Sequence, residues 1–146
     1  MRALLLLAGA GQIALALSSL VLPRLLKWRE QTSVLRPLTR QIFWTYAAYI
    51  LGCNVAFGLA SLFMADHLLD GTPLARAVAG FITLYWGARL VIQFGLYDRS
   101  DAPPGLRYKL AEAAIVLLFA YLTAVYGWTA CPAKHQPEGA KHGAIR

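Results

Sequence analysis

The chain has 146 residues, of which 58% are hydrophobic and only 14% are charged, and its mean hydropathy is +0.52. Soluble domains usually contain about 25% charged residues, and here the apolar residues also gather into four long blocks. This composition excludes an ordinary soluble enzyme, a disordered chain and a fibrous protein. The formal net charge of +7 therefore indicates contact with a membrane surface rather than with nucleic acid, for which no binding motif is present.

The first apolar block, residues 3–22, has no charge and one strongly polar side chain, Gln12. A helix of this length rises about 30 Å, which is the thickness of the hydrocarbon core of a bilayer. Arg2 and the leucines that follow it also resemble the start of a secretory signal peptide, but the apolar run is longer than such peptides need. We predict a retained membrane span and keep a cleaved signal peptide as the alternative.

Three further blocks, residues 42–65, 77–97 and 108–128, are also long enough to cross a bilayer as helices. Lipid leaves helices and closed barrels as the only spanning structures, and these blocks lack the two-residue alternation of barrel strands. We therefore predict an all-α fold, an integral membrane bundle of four transmembrane helices with short loops, over residues 1–128. Residues 129–146 contain two prolines, two glycines and no apolar periodicity, which predicts a disordered polar tail.

The distribution of Lys and Arg predicts how the bundle is oriented in the membrane. The first and third loops, with the residues next to them, hold eight basic residues against five on the opposite side. Because basic loops stay in the cytoplasm, both termini are predicted to lie outside the cell, and the Ala-, Leu-, Gly- and Arg-rich composition favours a bacterial inner membrane. The first loop, residues 23–40, interleaves its bases with apolar residues. Either it lies against anionic lipid headgroups, or it is an ordinary solvated loop.

Small residues recur at helical spacing on three of the blocks. The second block has Ala48, Gly52, Ala56 and Ala60, which stand four residues apart on one face. Shorter series occur on the first and third blocks, namely Ala10, Ala14 and Ser18, and Gly80, Gly87 and Gly95. Helices in lipid associate where small residues let their backbones approach. The stripes therefore predict close packing, either within the bundle or across the interface of a homo-oligomer or larger membrane complex.

Polar side chains stand near the middle of three spans, where an unsatisfied polar group is costly. Arg89 has Tyr85 one turn before it and Gln93 one turn after it on the same helical face. Axial positions counted from the span ends place Glu112 about 5 Å from Arg89, which predicts an ion pair between the third and fourth spans. This cluster either fixes helix register or binds a small anion, a proton or a polar headgroup. The candidate ligand-binding residues are Arg89, Gln93, Tyr85, Glu112, Asn54 and Gln12.

The sequence carries no signature of a catalytic, metal or cofactor site. It has no His-Glu-x-x-His motif, no Cys-x-x-Cys motif, no paired histidines that could ligate haem and no glycine-rich nucleotide loop. The two cysteines, Cys53 and Cys131, cannot form a disulfide framework. We therefore predict no metal, no cofactor and no catalytic residue, and catalysis by Arg89, Glu112 and a tyrosine is the least favoured hypothesis.

In size and span count the chain resembles the small multidrug transporters. That family carries a membrane-embedded glutamate in its first span, where this chain has Gln12 and no acid, so the transport function of the family is not carried over. The first hypothesis is an accessory or scaffold subunit of a membrane assembly, based on the small-residue stripes and the short loops. The alternative is a transporter or binding protein for a small anionic or lipophilic ligand, using Arg89 with Gln93 and Tyr85.

Overall fold

The computed structural model of the chain describes residues 1–96 and 105–131, except the side chain of Arg107. These residues form helices and no strand: α1 (Arg2–Leu25), α2 (Trp28–Gln31), α3 (Pro37–Phe63), α4 (Ala65–Leu69), α5 (Pro73–Gly95) and α6 (Leu106–Ala130). Four of them, α1, α3, α5 and α6, are long and apolar enough to cross a membrane. The predicted all-α bundle with four membrane-spanning helices is confirmed.

The long helices extend beyond most of the predicted span ends. α1 continues through Pro23 to Leu25, so this proline lies in the last turn of the helix. α3 begins at Pro37, since the fixed φ of proline suits the first helical position, where its missing N–H is not needed. α6 reaches Ala130 and so includes the first residues of the segment predicted to be disordered. The remainder of that segment, residues 132–146, lies outside the described residues.

Two glycines set the distance between α1 and α3, which pack along each other. A Cβ atom built on Gly9 would lie 2.9 Å from the carbonyl oxygen of Gly58, and one built on Gly58 would lie 2.8 Å from Cδ1 of Ile13. Both separations are shorter than real Cβ contacts. A larger residue at position 9 would meet the backbone of α3 and force the helices apart, whereas one at position 58 would first displace the Ile13 side chain. Hydrophobic association gives helices little attraction inside lipid, and such close approach supplies the van der Waals contact instead.

α5 and α6 form the second closely packed pair, and they also meet through small residues. A Cβ atom on Gly87 would lie 3.9 Å from Cγ2 of Thr123, and one on Gly127 would lie 3.5 Å from Cγ2 of Thr83. The two contacts lie one turn apart on each helix. The earlier residue of α5 meets the later residue of α6, and the later residue of α5 meets the earlier one of α6. They therefore establish an antiparallel register for α5 on α6.

The buried core lies where α1 meets α5 and α6. Its largest fully buried apolar and aromatic side chains come from all three helices, namely Leu5, Ile82, Trp86, Leu122 and Tyr126. Many large apolar residues elsewhere on the long helices are exposed instead, among them Leu7, Leu17, Phe81, Leu84, Val91 and Leu117. A soluble bundle would bury such side chains, whereas in a bilayer they contact lipid tails.

The turn before α5 consists of residues 70–73. Gly71 has φ +74°, a backbone conformation that side chains disfavour. The Thr72 backbone N–H donates to Oδ1 of Asp70 at 2.9 Å, and the Thr72 hydroxyl accepts from the N–H of Ala75 at 3.2 Å, which caps α5. The bond from the Thr72 N–H stabilises the carboxylate and lowers the pKa of Asp70 below its ordinary value.

Three of the four stripe residues on α3 do not pack inside the bundle. Ala48, Gly52 and Ala56 are exposed, and a Cβ atom on Gly52 would meet no described atom within 4 Å, whereas the fourth member, Ala60, is half-buried. The buried residues of α3 are Asn54, Gly58 and Ser61. At about 100° per residue, the three exposed residues lie on the face opposite to the buried ones. Packing within the described part of the chain is therefore wrong for these three residues.

We expect Gly9→Ala to destabilise the bundle, because its new methyl group meets the backbone of α3. An overpacked contact of this kind costs about 1–3 kcal/mol in the free energy of unfolding, which denaturation in mixed micelles would measure. Gly52→Ala is the matched control, and it should be neutral or slightly stabilising, since alanine favours helix and the site is open. Equal effects of the two substitutions would contradict the close contact between α1 and α3.

Candidate functional site

Gln12 is fully buried and connects α1 to α6. Its Nε2 donates to the hydroxyl of Tyr126 at 2.6 Å and, more weakly, to the carbonyl oxygen of Ala8 one turn earlier at 3.4 Å. The contact with Tyr126 joins residues that are far apart in the chain. The hydrogen bond from Gln12 Nε2 to Tyr126 therefore links the first long helix to the last one.

Tyr126 extends this connection to α3 through Ser61, and all three side chains are fully buried. The Ser61 hydroxyl donates to the carbonyl oxygen of Phe57 at 2.8 Å, so its oxygen is left to accept from the Tyr126 hydroxyl, with which it makes a short hydrogen bond. The donors then run in one direction, from the Gln12 amide to the Tyr126 oxygen, from Tyr126 to Ser61, and from Ser61 to the backbone. We call these three side chains the Gln12–Tyr126–Ser61 network.

A second polar contact joins α3 to α5. The Tyr85 hydroxyl donates to Oδ1 of Asn54 at 3.2 Å. The ring of Phe57 packs edge-on against the ring of Tyr85, with the ring centroids 5.3 Å apart. Asn54 and Tyr85, which the sequence places near mid-membrane on different spans, are thus brought together. Their contact bridges two helices that pack mainly on other neighbours.

Arg89 is half-buried and lies against an aromatic ring. Its guanidinium carbon stands 5.8 Å from the ring centroid of Phe119 on α6, within cation–π distance. Phe119 in turn packs on Trp86, with ring centroids 5.1 Å apart. The aromatic face offers the cation a favourable contact inside the bundle. Gln93, one turn further along α5, is also half-buried.

The register of α5 on α6 does not bring Arg89 and Glu112 side by side. Gly87 faces Thr123, so Arg89 lies about nine residues, or about 13 Å, from Glu112 along the helix axes. Both side chains tilt toward the N-termini of their antiparallel helices and so point away from each other. The sequence analysis aligned the two spans by their predicted ends, and that alignment differs from the observed register by about five residues. The ion pairs found between side chains of the described residues are Arg2–Asp66 at 3.1 Å and Lys27–Glu30 at 3.7 Å.

Two buried polar atoms in the described part of the chain have no hydrogen-bond partner. They are Oε1 of Gln12, an acceptor, and Nε1 of Trp86, a donor. A buried polar atom without a partner costs free energy, and such atoms are uncommon in native structures. The Gln12–Tyr126–Ser61 network therefore retains capacity to accept one more hydrogen bond.

Two members of the network, Tyr126 and Ser61, are not among the candidate residues of the sequence analysis. Ser61 differs from Gln12 and Asn54 in lying near the end of its span and in being a small, common residue. Its position relative to Asn54 and Gly58 was the available signal, because residues four and seven positions apart share one face of a helix. A polar residue on the same face as a mid-span asparagine is a candidate partner for polar side chains on neighbouring helices.

The described residues include no group of three His, Cys, Asp or Glu side chains close enough to hold a metal ion. Cys53 and Cys131 are both free thiols. The polar groups that do come together are amides and hydroxyls, while the Arg89 guanidinium lies on the Phe119 ring. Such groups donate and accept hydrogen bonds and can hold a small polar or anionic molecule.

Comparisons with protein-family models, with curated proteins and with solved structures find no match to this chain. No function can be transferred from a relative. The functional argument therefore rests on the geometry of the helices and on the surfaces that they leave open.

We expect Tyr126→Phe to destabilise the bundle by about 1 kcal/mol, because it leaves both Gln12 Nε2 and Ser61 Oγ without their shared partner. Reversible denaturation in mixed micelles would measure the change in the free energy of unfolding. Tyr46→Phe is the matched control, since Tyr46 is exposed and its hydroxyl can bond to water or headgroups. A loss in the control as large as in Tyr126→Phe would show that the buried network contributes nothing.

Proposed function

We propose that this chain is an accessory or scaffold subunit of a membrane assembly, and that it docks a transmembrane helix of another chain against α3. The observation that carries the proposal is the outward face of α3, where Ala48, Gly52 and Ala56 are exposed and Gly52 meets no described atom of the chain. A further copy of this protein or a different membrane protein would supply the docking helix.

The face of α3 forms a shallow groove. The residues that line it are Trp44, Thr45, Ala48, Tyr49, Gly52, Cys53 and Ala56. Its floor consists of small residues, and at Gly52 the helix backbone itself is open to contact. The larger side chains stand along its margins. A second helix can therefore approach the backbone of α3 closely without any rearrangement.

The contact between α1 and α3 gives the energetic reason for such docking. Gly9 and Gly58 let those two helices approach until backbone and side-chain atoms touch, and this is how helices gain contact energy in lipid. Lipid tails fill a groove of small residues less well than a complementary helix does. Ala48, Gly52 and Ala56 present the same kind of surface on the opposite side of α3.

The proposed membrane is a bacterial inner membrane, with the first and third loops in the cytoplasm and both termini outside. The excess of Lys and Arg in these loops supports that orientation. The outward apolar residues of the long helices support a position inside lipid.

The alternative function is transport or binding of a small anionic or lipophilic ligand at the buried polar groups. It is favoured by Arg89, which is half-buried and has no carboxylate within 4 Å among the described residues. Gln12 Oε1 and Trp86 Nε1 add an acceptor and a donor that lack partners. A ligand that carries both an anionic and a polar group would satisfy this set.

We expect Ala56→Leu to weaken assembly by about tenfold or more in dissociation constant, because its side chain fills the groove that a docking helix needs. Native mass spectrometry of the tagged protein in mild detergent would measure the fraction bound to a second chain. Ala88→Leu is the matched control, because Ala88 is exposed in the middle of α5 and lies outside the groove. A wild-type protein that is released as a lone chain, or equal losses in the two variants, would overturn the proposal.

The alternative predicts that Arg89→Gln loses a bound small molecule while the fold survives. The molecule would be detected as added mass and by its absorption spectrum in the same preparations. Arg76→Gln is the control, since Arg76 is also half-buried on α5 but lies at the end of the bundle, where it donates to the Ala130 carbonyl at 3.3 Å. If the wild-type protein carries no small molecule and Arg89→Gln lowers bundle stability, Arg89 is structural and the alternative is rejected.

A further inference from the structure

A second, cationic pocket lies at the end of the bundle where α1 ends and α3 begins, which we call the basic end (residues 24–40). The pocket has a volume of about 440 Å³ and is lined by Arg29, Thr32, Arg40 and Trp44. That volume falls within the range of sites that hold small molecules. Two of the four lining residues are therefore arginines, and one is aromatic.

The backbone of the basic end builds this pocket by turning back on itself. Lys27 takes a left-handed conformation with φ 50°, which ends the path of α1 and starts the short helix α2 in a new direction. Thr32 closes α2, since both its N–H, at 2.8 Å, and its hydroxyl, at 2.7 Å, donate to the carbonyl oxygen of Trp28. Arg29, in the middle of α2, is thereby held beside the first turns of α3.

Aromatic contacts hold α2 against α3. The ring of Trp28 meets the ring of Phe43 at 5.3 Å and the ring of Trp44 at 6.3 Å, and Phe43 and Trp44 are themselves 5.8 Å apart between centroids. Edge-to-face geometry of this kind is favourable for aromatic pairs. The position of Arg29 relative to Arg40 is therefore a result of packing rather than of chance in a loose loop.

Among the described residues, no acid neutralises the positive charge in the pocket. Glu30 is the single acid of residues 23–40, and it pairs with Lys27 at 3.7 Å. No carboxylate among the described residues lies within 4 Å of Arg29 or Arg40. The first turn of α3 contains neither an acid nor a side-chain cap, so its N-terminal dipole adds to the positive potential.

We propose that this pocket binds the phosphate group of an anionic phospholipid headgroup. Guanidinium groups bind phosphate oxygens through paired, charge-assisted hydrogen bonds, and two arginines line this one cavity. Trp44 provides an apolar wall of the type that lies at headgroup level in membranes. This inference does not rest on helix docking at α3, although Trp44 lines both surfaces.

A specific site differs from general attraction by depending on position rather than on the number of charges. Arg24 and Arg36 belong to the same basic end and carry the same charge, but they do not line the pocket. Removing them lowers the electrostatic attraction to an anionic surface by a similar amount. They therefore provide a control that matches the change in charge while leaving the pocket complete.

The test measures retention of phosphatidylglycerol by the full chain in mild detergent, using native mass spectrometry, with phosphatidylcholine as the uncharged comparison. Wild type should retain about one phosphatidylglycerol in preference to phosphatidylcholine. The double variant R29Q/R40Q should lose about tenfold more affinity than the control R24Q/R36Q. R29K/R40K should recover only part of that affinity, because lysine keeps the charge but lacks the paired donors of arginine.

Equal losses in the two glutamine doubles, or full recovery in the lysine double, would overturn the site. A thermal melt of each variant checks folding, and if R29Q/R40Q does not fold, the lysine double still decides the outcome. The phosphate group that the pocket binds could belong to a lipid headgroup or to free phosphate. Inorganic phosphate at 10 mM, given as a competitor, distinguishes these two ligands. Retention of phosphatidylglycerol in its presence supports the lipid headgroup, whereas displacement by it would overturn the lipid assignment.

Discussion

The close approach of α1 to α3 at Gly9 and Gly58 is the contact on which the polar interior depends. With these backbones touching, Gln12 on α1 and Ser61 on α3 lie near enough for one phenol to bond to both. The Tyr126 side chain then ties α6 to the first helix pair. A wider spacing would leave buried amides and hydroxyls without partners, which lipid does not compensate.

The sequence predicts the four spans and not their register, and the two outcomes have different physical causes. A span is dictated by the thickness of the bilayer, so hydropathy and length suffice to find it. Register depends on which side chains interlock, and at Gly87 and Thr123 it shifts Arg89 away from Glu112. Asn54 and Gln12 were identifiable as buried because an amide in mid-membrane needs a partner, but the partners Tyr85 and Tyr126 are set by helix packing.

Periodicity shows which residues share a helix face without showing what the face contacts. α3 has small residues on two opposite sides, with Gly58 packed on α1 and Gly52 open. The series with the regular four-residue spacing, which contains Gly52, lies on the face that no other described helix covers. The face that packs internally is instead marked by Asn54 and Ser61, since a polar residue in a span has reason to face a neighbouring helix rather than lipid.

The open groove and the cationic pocket impose different requirements on the same helix. Gly52 lies about 18 Å along α3 from Arg40, so the groove faces acyl chains when Arg40 is at headgroup level. Contact along the groove depends on shape, because no charge lines it. Binding at the pocket depends on charge, and salt should weaken it while leaving helix docking largely unaffected. Trp44 lines both surfaces, so the groove and the pocket adjoin at this residue.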